Sequence, residues 1–91
     1  MKSDVDKLLT SHHQLVHSEG VTVTSHTQRI DGDWVLHTLM IDGVDVPFKF
    51  KRQKKYKNLA GSKVNLTYYS VTEMIAGFEI EMMKVIRVKR Y

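Results

Sequence analysis

The chain has no cysteine, a single proline and no apolar run near the roughly 20 residues that a membrane-spanning helix needs. Without cysteine there is no disulfide framework and no thiolate metal site, a composition suited to a reducing compartment. The start, MKSDVDKLLTSHHQ, is broken by polar residues every few positions and does not read as a secretory leader. The expectation is a cytoplasmic protein with no membrane partner. A glycine-rich phosphate loop is missing too, because each of the five glycines stands where an element turns or ends. Acids are scarce in one half only. Residues 49–91 carry three acids against eleven cations, while residues 1–48 carry seven acids against three cations. The net charge of +4 hides this division, which bears on partners and encounter rates rather than on fold.

What is present reads as one small domain, residues 1–91, mainly β. An amphipathic helix is expected over about 4–18, with Ser3 as N-cap, Asp4 and Asp6 in the first turn and Gly20 as terminator. Val5, Leu8, Leu9, His12, Leu15 and Val16 fall on one stripe at helical spacing. Strands are expected over about 21–29, 34–41, 44–52, 63–70 and 78–90, because apolar and β-branched residues alternate there between turn signals. Asp42-Gly43 is read as a two-residue hairpin turn that sets Ile41 opposite Val44, Leu39 opposite Val46, His37 opposite Phe48 and Val35 opposite Phe50, all on one face, and that face is the core. For RIDGDW a three-residue loop is preferred. The two-residue alternative turns Thr22, Thr24, His26 and Gln28 inward, whereas the longer loop sets Val21 opposite Ile41 and Val23 opposite Leu39.

Val64, Leu66 and Tyr68 are expected inward on the fourth strand, as are Phe78, Ile80, Met82, Ile86 and Val88 on the fifth. Lys84 and Val85 break the alternation, which predicts a bulge. VTEMIAG between these strands reads as one helical turn. Five strands of this size predict a small antiparallel barrel. An oligonucleotide/oligosaccharide-binding (OB) type is the first choice and a Src-homology-like type the second.

The segment KFKRQKKYK, residues 49–57, holds six cations and two aromatics. Lys49, Lys51, Arg52, Lys54, Lys55 and Lys57 are the candidate contacts to phosphates, with Trp34 and Tyr56 as candidate stacking rings, since single-strand binders pair cations for the backbone with aromatics for bases. Two structural readings compete: lysines protect strand ends from edge pairing, and Trp34 with Leu36 and Met40 forms the seat of the N-terminal helix. The functional expectation is a non-enzymatic binder of single-stranded DNA or RNA. The alternative is a protein-interaction module or small subunit that takes an acidic partner. Met83, Val85 and Tyr91 are read as pointing outward, which allows a homodimer through the last strand.

The five histidines do not build a metal site in this reading. His13 and His17 stand four apart on the predicted helix, but no third ligand joins them. Ser11 beside His12 and His13 is adjacency, without an oriented base. No catalytic residue, metal or cofactor is expected.

Overall fold

Five strands close into a barrel in the computed structural model, which describes residues 14–91. They are β1 (Val16–Asp31), β2 (Trp34–Ile41), β3 (Phe48–Arg52), β4 (Lys63–Ile75) and β5 (Phe78–Arg90). Their order around the barrel is β1-β2-β3-β5-β4, with β4 returning to β1. The barrel is not wholly antiparallel as expected, because β3 and β5 run parallel where they meet, at Phe48 opposite Met83 and Lys49 opposite Lys84.

The first strand makes the closure possible by serving two neighbours. Its first part pairs with β4 and its second with β2, and two bulges bend it between them. One bulge lies between Ser18 and Val21, where Gly20 adopts φ +64° and donates its N–H to Asn65 Oδ1 at 2.9 Å. A Cβ added there would lie 3.2 Å from the Tyr91 ring, so both the conformation and the space call for glycine. The expected helix 4–18 lies outside the described residues up to residue 13. Over Val16, His17 and Ser18 it is replaced by strand, and Gly20 bends that strand instead of ending a helix.

The second bulge corrects the expected β1–β2 register. Gly32 and Asp33 form a two-residue connection, with Asp31 opposite Trp34, Gln28 opposite His37 and His26 opposite Leu39. His26 therefore turns inward. Thr24 is then the extra residue, its Oγ1 donating to the Met40 carbonyl at 3.1 Å, and the phase change returns Val23 to the core opposite Ile41. On the other side β3 begins only at Phe48. Its register is two residues from the expected one, with His37 opposite Phe50 and Leu39 opposite Phe48. A shift of two preserves the face, so Val35, His37, Leu39, Phe48 and Phe50 are all buried as expected.

Val23, Leu39, Ile41, Phe48, Phe50, Val64, Leu66 and Val85 fill the interior, and Leu59 from the β3–β4 connection stops one end. Ile86 is the bulged residue on β5, since Thr67 faces Arg87 and Tyr68 faces Val85. The expected irregularity is present, but Val85 rather than Ile86 points in, and Met83 also packs against the core. That removes Met83 and Val85 from the outer face assigned to them.

VTEMIAG forms no helical turn. It continues β4 to Ile75 and, with β5, extends as a two-stranded arm, residues 72–81, in which every residue is exposed. Phe78 and Ile80, expected inward, lie on this arm, Phe78 at 71% exposure. The arm turns at Ala76 (φ 52°) and Gly77 (φ 85°), both positive as a type I′ hairpin turn requires. Alanine is strained in that conformation. Ala76→Asn is expected to stabilise the arm by about 0.5–1 kcal/mol, read as slower amide exchange at Ile75 and Phe78. Unchanged or faster exchange would refute the strain argument.

Candidate functional site

The connection between β3 and β4 meets a strand only at its end, where Gly61 and Ser62 exchange backbone hydrogen bonds with Val23, so the buried backbone groups before that point need other partners. Three inward side chains supply them. The Gln28 amide acts like a short piece of ladder: its Nε2 donates to the Tyr56 carbonyl and its Oε1 accepts from the Tyr56 N–H, both at 2.8 Å. His26 Nδ1 accepts from the Leu59 N–H at 3.0 Å. His26 Nε2 and His37 Nδ1 are 2.9 Å apart, and His37 Nε2 lies 3.3 Å from the Lys54 carbonyl.

The end points fix the protons. A backbone N–H only donates, so His26 Nδ1 is bare and its proton sits on Nε2, donated to His37 Nδ1. His37 then carries its own proton on Nε2, directed at the Lys54 carbonyl. Both rings are neutral in this arrangement, and a further proton on either one would break a bond of the relay. Burial lowers the pKa of both histidines, the neighbouring His37 pushes His26 down further, and for His37 the Lys54 carbonyl opposes while Arg52 adds to the depression. His37 also stacks on Phe50, ring centres 4.6 Å apart and planes 2° apart, and touches Tyr56 at 4.6 Å.

This clamp holds the connection to the inward side of β1 and β2, and the expected contact residues divide around it. Trp34, 44% exposed, lines an open depression of about 580 Å³ with Lys51, Arg52, Gln53, Lys54 and Tyr56. Lys51 also borders a second groove, about 490 Å³, with Leu36, Lys49, Met82, Lys84 and Glu73. The two hollows share Lys51. Trp34, Lys49, Lys51, Arg52, Lys54 and Tyr56 are thus brought together. Lys55 and Lys57 are exposed on the connection but line neither hollow.

Two of these residues have structural duties as well. Arg52 lies over the Phe50 ring at 5.0 Å and donates to the carbonyls of Lys51 and Ile86, spanning the gap where β3 and β5 part. Tyr56 is half-buried against the core, leaving only part of its ring to the depression. Lys84 is a cation of this groove that does not stand out in the sequence. It stands opposite Lys49 across the parallel pair, a relation that no hairpin arithmetic reveals. Like charges directly opposed on strands repel. Among the described residues no carboxylate pairs with either lysine, and the ion pair within 4.0 Å is His17 with Glu19.

His17, placed in β1, bonds Thr67 Oγ1 at 3.0 Å, which ends the helical spacing with His13, a residue outside the described ones. Among the described residues no three His, Asp or Glu side chains gather as metal ligands, and no helix there is long and apolar enough to cross a membrane. The chain matches no family model, and neither curated proteins nor solved structures provide a significant match.

Proposed function

We propose that this protein is a non-enzymatic binder of single-stranded nucleic acid on a barrel of the OB type. The carrying observation is the open depression in which Trp34 and Tyr56 lie among Lys51, Arg52 and Lys54, adjoining through Lys51 a second groove that holds Lys49 and Lys84. Bases stack on aromatic rings for about 1–3 kcal/mol each, and phosphates relieve the repulsion between unpaired lysines. The strand order supports this reading: β1 is shared by β2 and β4, β3 meets β5 in parallel, and Trp34, Leu36, Lys49 and Lys51 of the two hollows lie on β2 and β3, the strands that such barrels use. The parallel contact favours this type over the Src-homology-like alternative. Topology alone assigns no ligand, so the reading stands on the side chains.

A salt titration of single-stranded DNA and RNA, read by Trp34 fluorescence, tests it. Quenching is expected. If Lys49, Lys51, Lys54 and Lys84 each neutralise one phosphate, affinity falls about fiftyfold between roughly 50 and 200 mM salt. Trp34→Ala, followed by anisotropy of a dye-labelled oligonucleotide, weakens binding by about 1–3 kcal/mol and leaves the salt slope in place. Binding that is absent or insensitive to salt refutes the proposal.

A further inference from the structure

Every residue of the arm, 72–81, is exposed, and Glu73 at its base lines the groove with Lys49 and Lys84. Of the nine large apolar side chains exposed among the described residues, four lie on these ten positions: Met74, Ile75, Phe78 and Ile80. Cross-strand register places Glu73, Ile75, Phe78 and Ile80 on one side and Thr72, Met74, Glu79 and Glu81 on the other, so a carboxylate stands beside the apolar residues of the first side. A two-stranded ribbon is marginally stable alone in water, and an apolar concentration of this kind marks a contact surface. Its charge names the partner. Glu73, Glu79 and Glu81 are the only acids in residues 49–91, and no Lys, Arg or His lies between Val71 and Met83. Opposite in every respect is the Trp34 depression, a concave aromatic surface lined by three cations and no acid.

We infer that the arm of one molecule docks in the Trp34 depression of a second copy, its apolar tip against Trp34 and Tyr56 and its carboxylates toward Lys51, Arg52 and Lys54. The contact joins two different surfaces, so it is heterologous and propagates from copy to copy unless a ring closes. A tip of this size buries less than the roughly 1,200 Å² of a standard interface, so association is weak and dominated by a few anchors. The inference does not rest on the nucleic-acid reading. Where both hold, they compete for one depression, and an oligonucleotide disperses the assembly.

Sedimentation velocity of the full chain tests it. Mass is expected to rise with protein concentration and to fall with salt. Phe78→Glu removes the anchor from the arm and Lys54→Glu reverses charge in the depression; both side chains are exposed, and unchanged circular dichroism and melting confirm the fold. Each variant alone is expected to associate about tenfold more weakly or less. Mixed in equal amounts, they form a heterodimer that grows no further, because only one intact arm faces one intact depression. A wild-type chain that stays monomeric overturns the inference. So does a mixture that remains monomeric, or one that grows beyond two.

Discussion

His37→Ala is expected to destabilise the barrel by about 3–5 kcal/mol, the range for removing a large buried ring. The ring is 1% exposed and stacked on Phe50, and its loss also strands the His26 Nε2–H and the Lys54 carbonyl. Chains of this length have a total stability of roughly 5–14 kcal/mol, so the variant sits near the edge of folding. His37→Phe separates the two causes. It keeps volume and stacking but leaves the His26 N–H without an acceptor, for about 1–3 kcal/mol. Urea midpoints of the two variants, compared at constant m-value, give the division. A loss below about 1 kcal/mol in His37→Ala would mean that the relay and its packing are not what hold the basic connection.

Acid should act on the same pair. In the unfolded chain both histidines take up protons as the pH falls through the ordinary histidine value of about 6.5. In the fold their pKa values are lowered by burial, so the native state stays neutral to more acidic pH. Below about 6.5 the unfolded state therefore binds more protons, and stability declines as pH falls until the lowered values are passed. Each histidine contributes up to about 1.4 kcal/mol per pH unit in that window, and the pair about twice this. Above the window the contribution is flat. Urea unfolding followed from neutral to mildly acidic pH reads the slope, and His37→Phe should reduce it by about half. Stability that holds or rises on acidification would show that the rings are not locked neutral.

These inward histidines also explain where sequence patterning succeeds and where it stops. Alternation in Val35, His37, Leu39 and Ile41, and in Phe48 and Phe50, identifies core faces correctly, because a face survives a register shift of two. The β1–β2 register escapes for the opposite reason. Turning His26 and Gln28 inward looks costly until the β3–β4 connection is known to need their hydrogen bonds, and that need arises between residues about thirty apart in sequence. Thr24 hides a bulge without a glycine to mark it. Over 14–18 the helical spacing of Leu15 and Val16 is genuine, but pairing of Val16 with Tyr68 overrides it. Ala76-Gly77 lacks the Asn or Asp that usually announces a tight hairpin, so the arm reads as helix. Among the site residues, the cations and Trp34 are legible as a cluster, whereas Lys84 joins them only through the parallel contact.

That parallel contact, two residue pairs long, also dictates an order of assembly. The β1–β2, β2–β3 and β4–β5 pairings each join strands adjacent in sequence, whereas Phe48 with Met83 and Lys49 with Lys84 must bring together segments separated by most of the second half of the chain. Closing so large a loop costs entropy that two pairs offset poorly by themselves. The three-stranded meander and the long hairpin therefore form as separate pieces, and their joining along β3 and β5 is a late event in folding. The first part of β1 meets β4 over a still longer separation, Val16 opposite Tyr68, so by the same argument both seams of the barrel close at that stage.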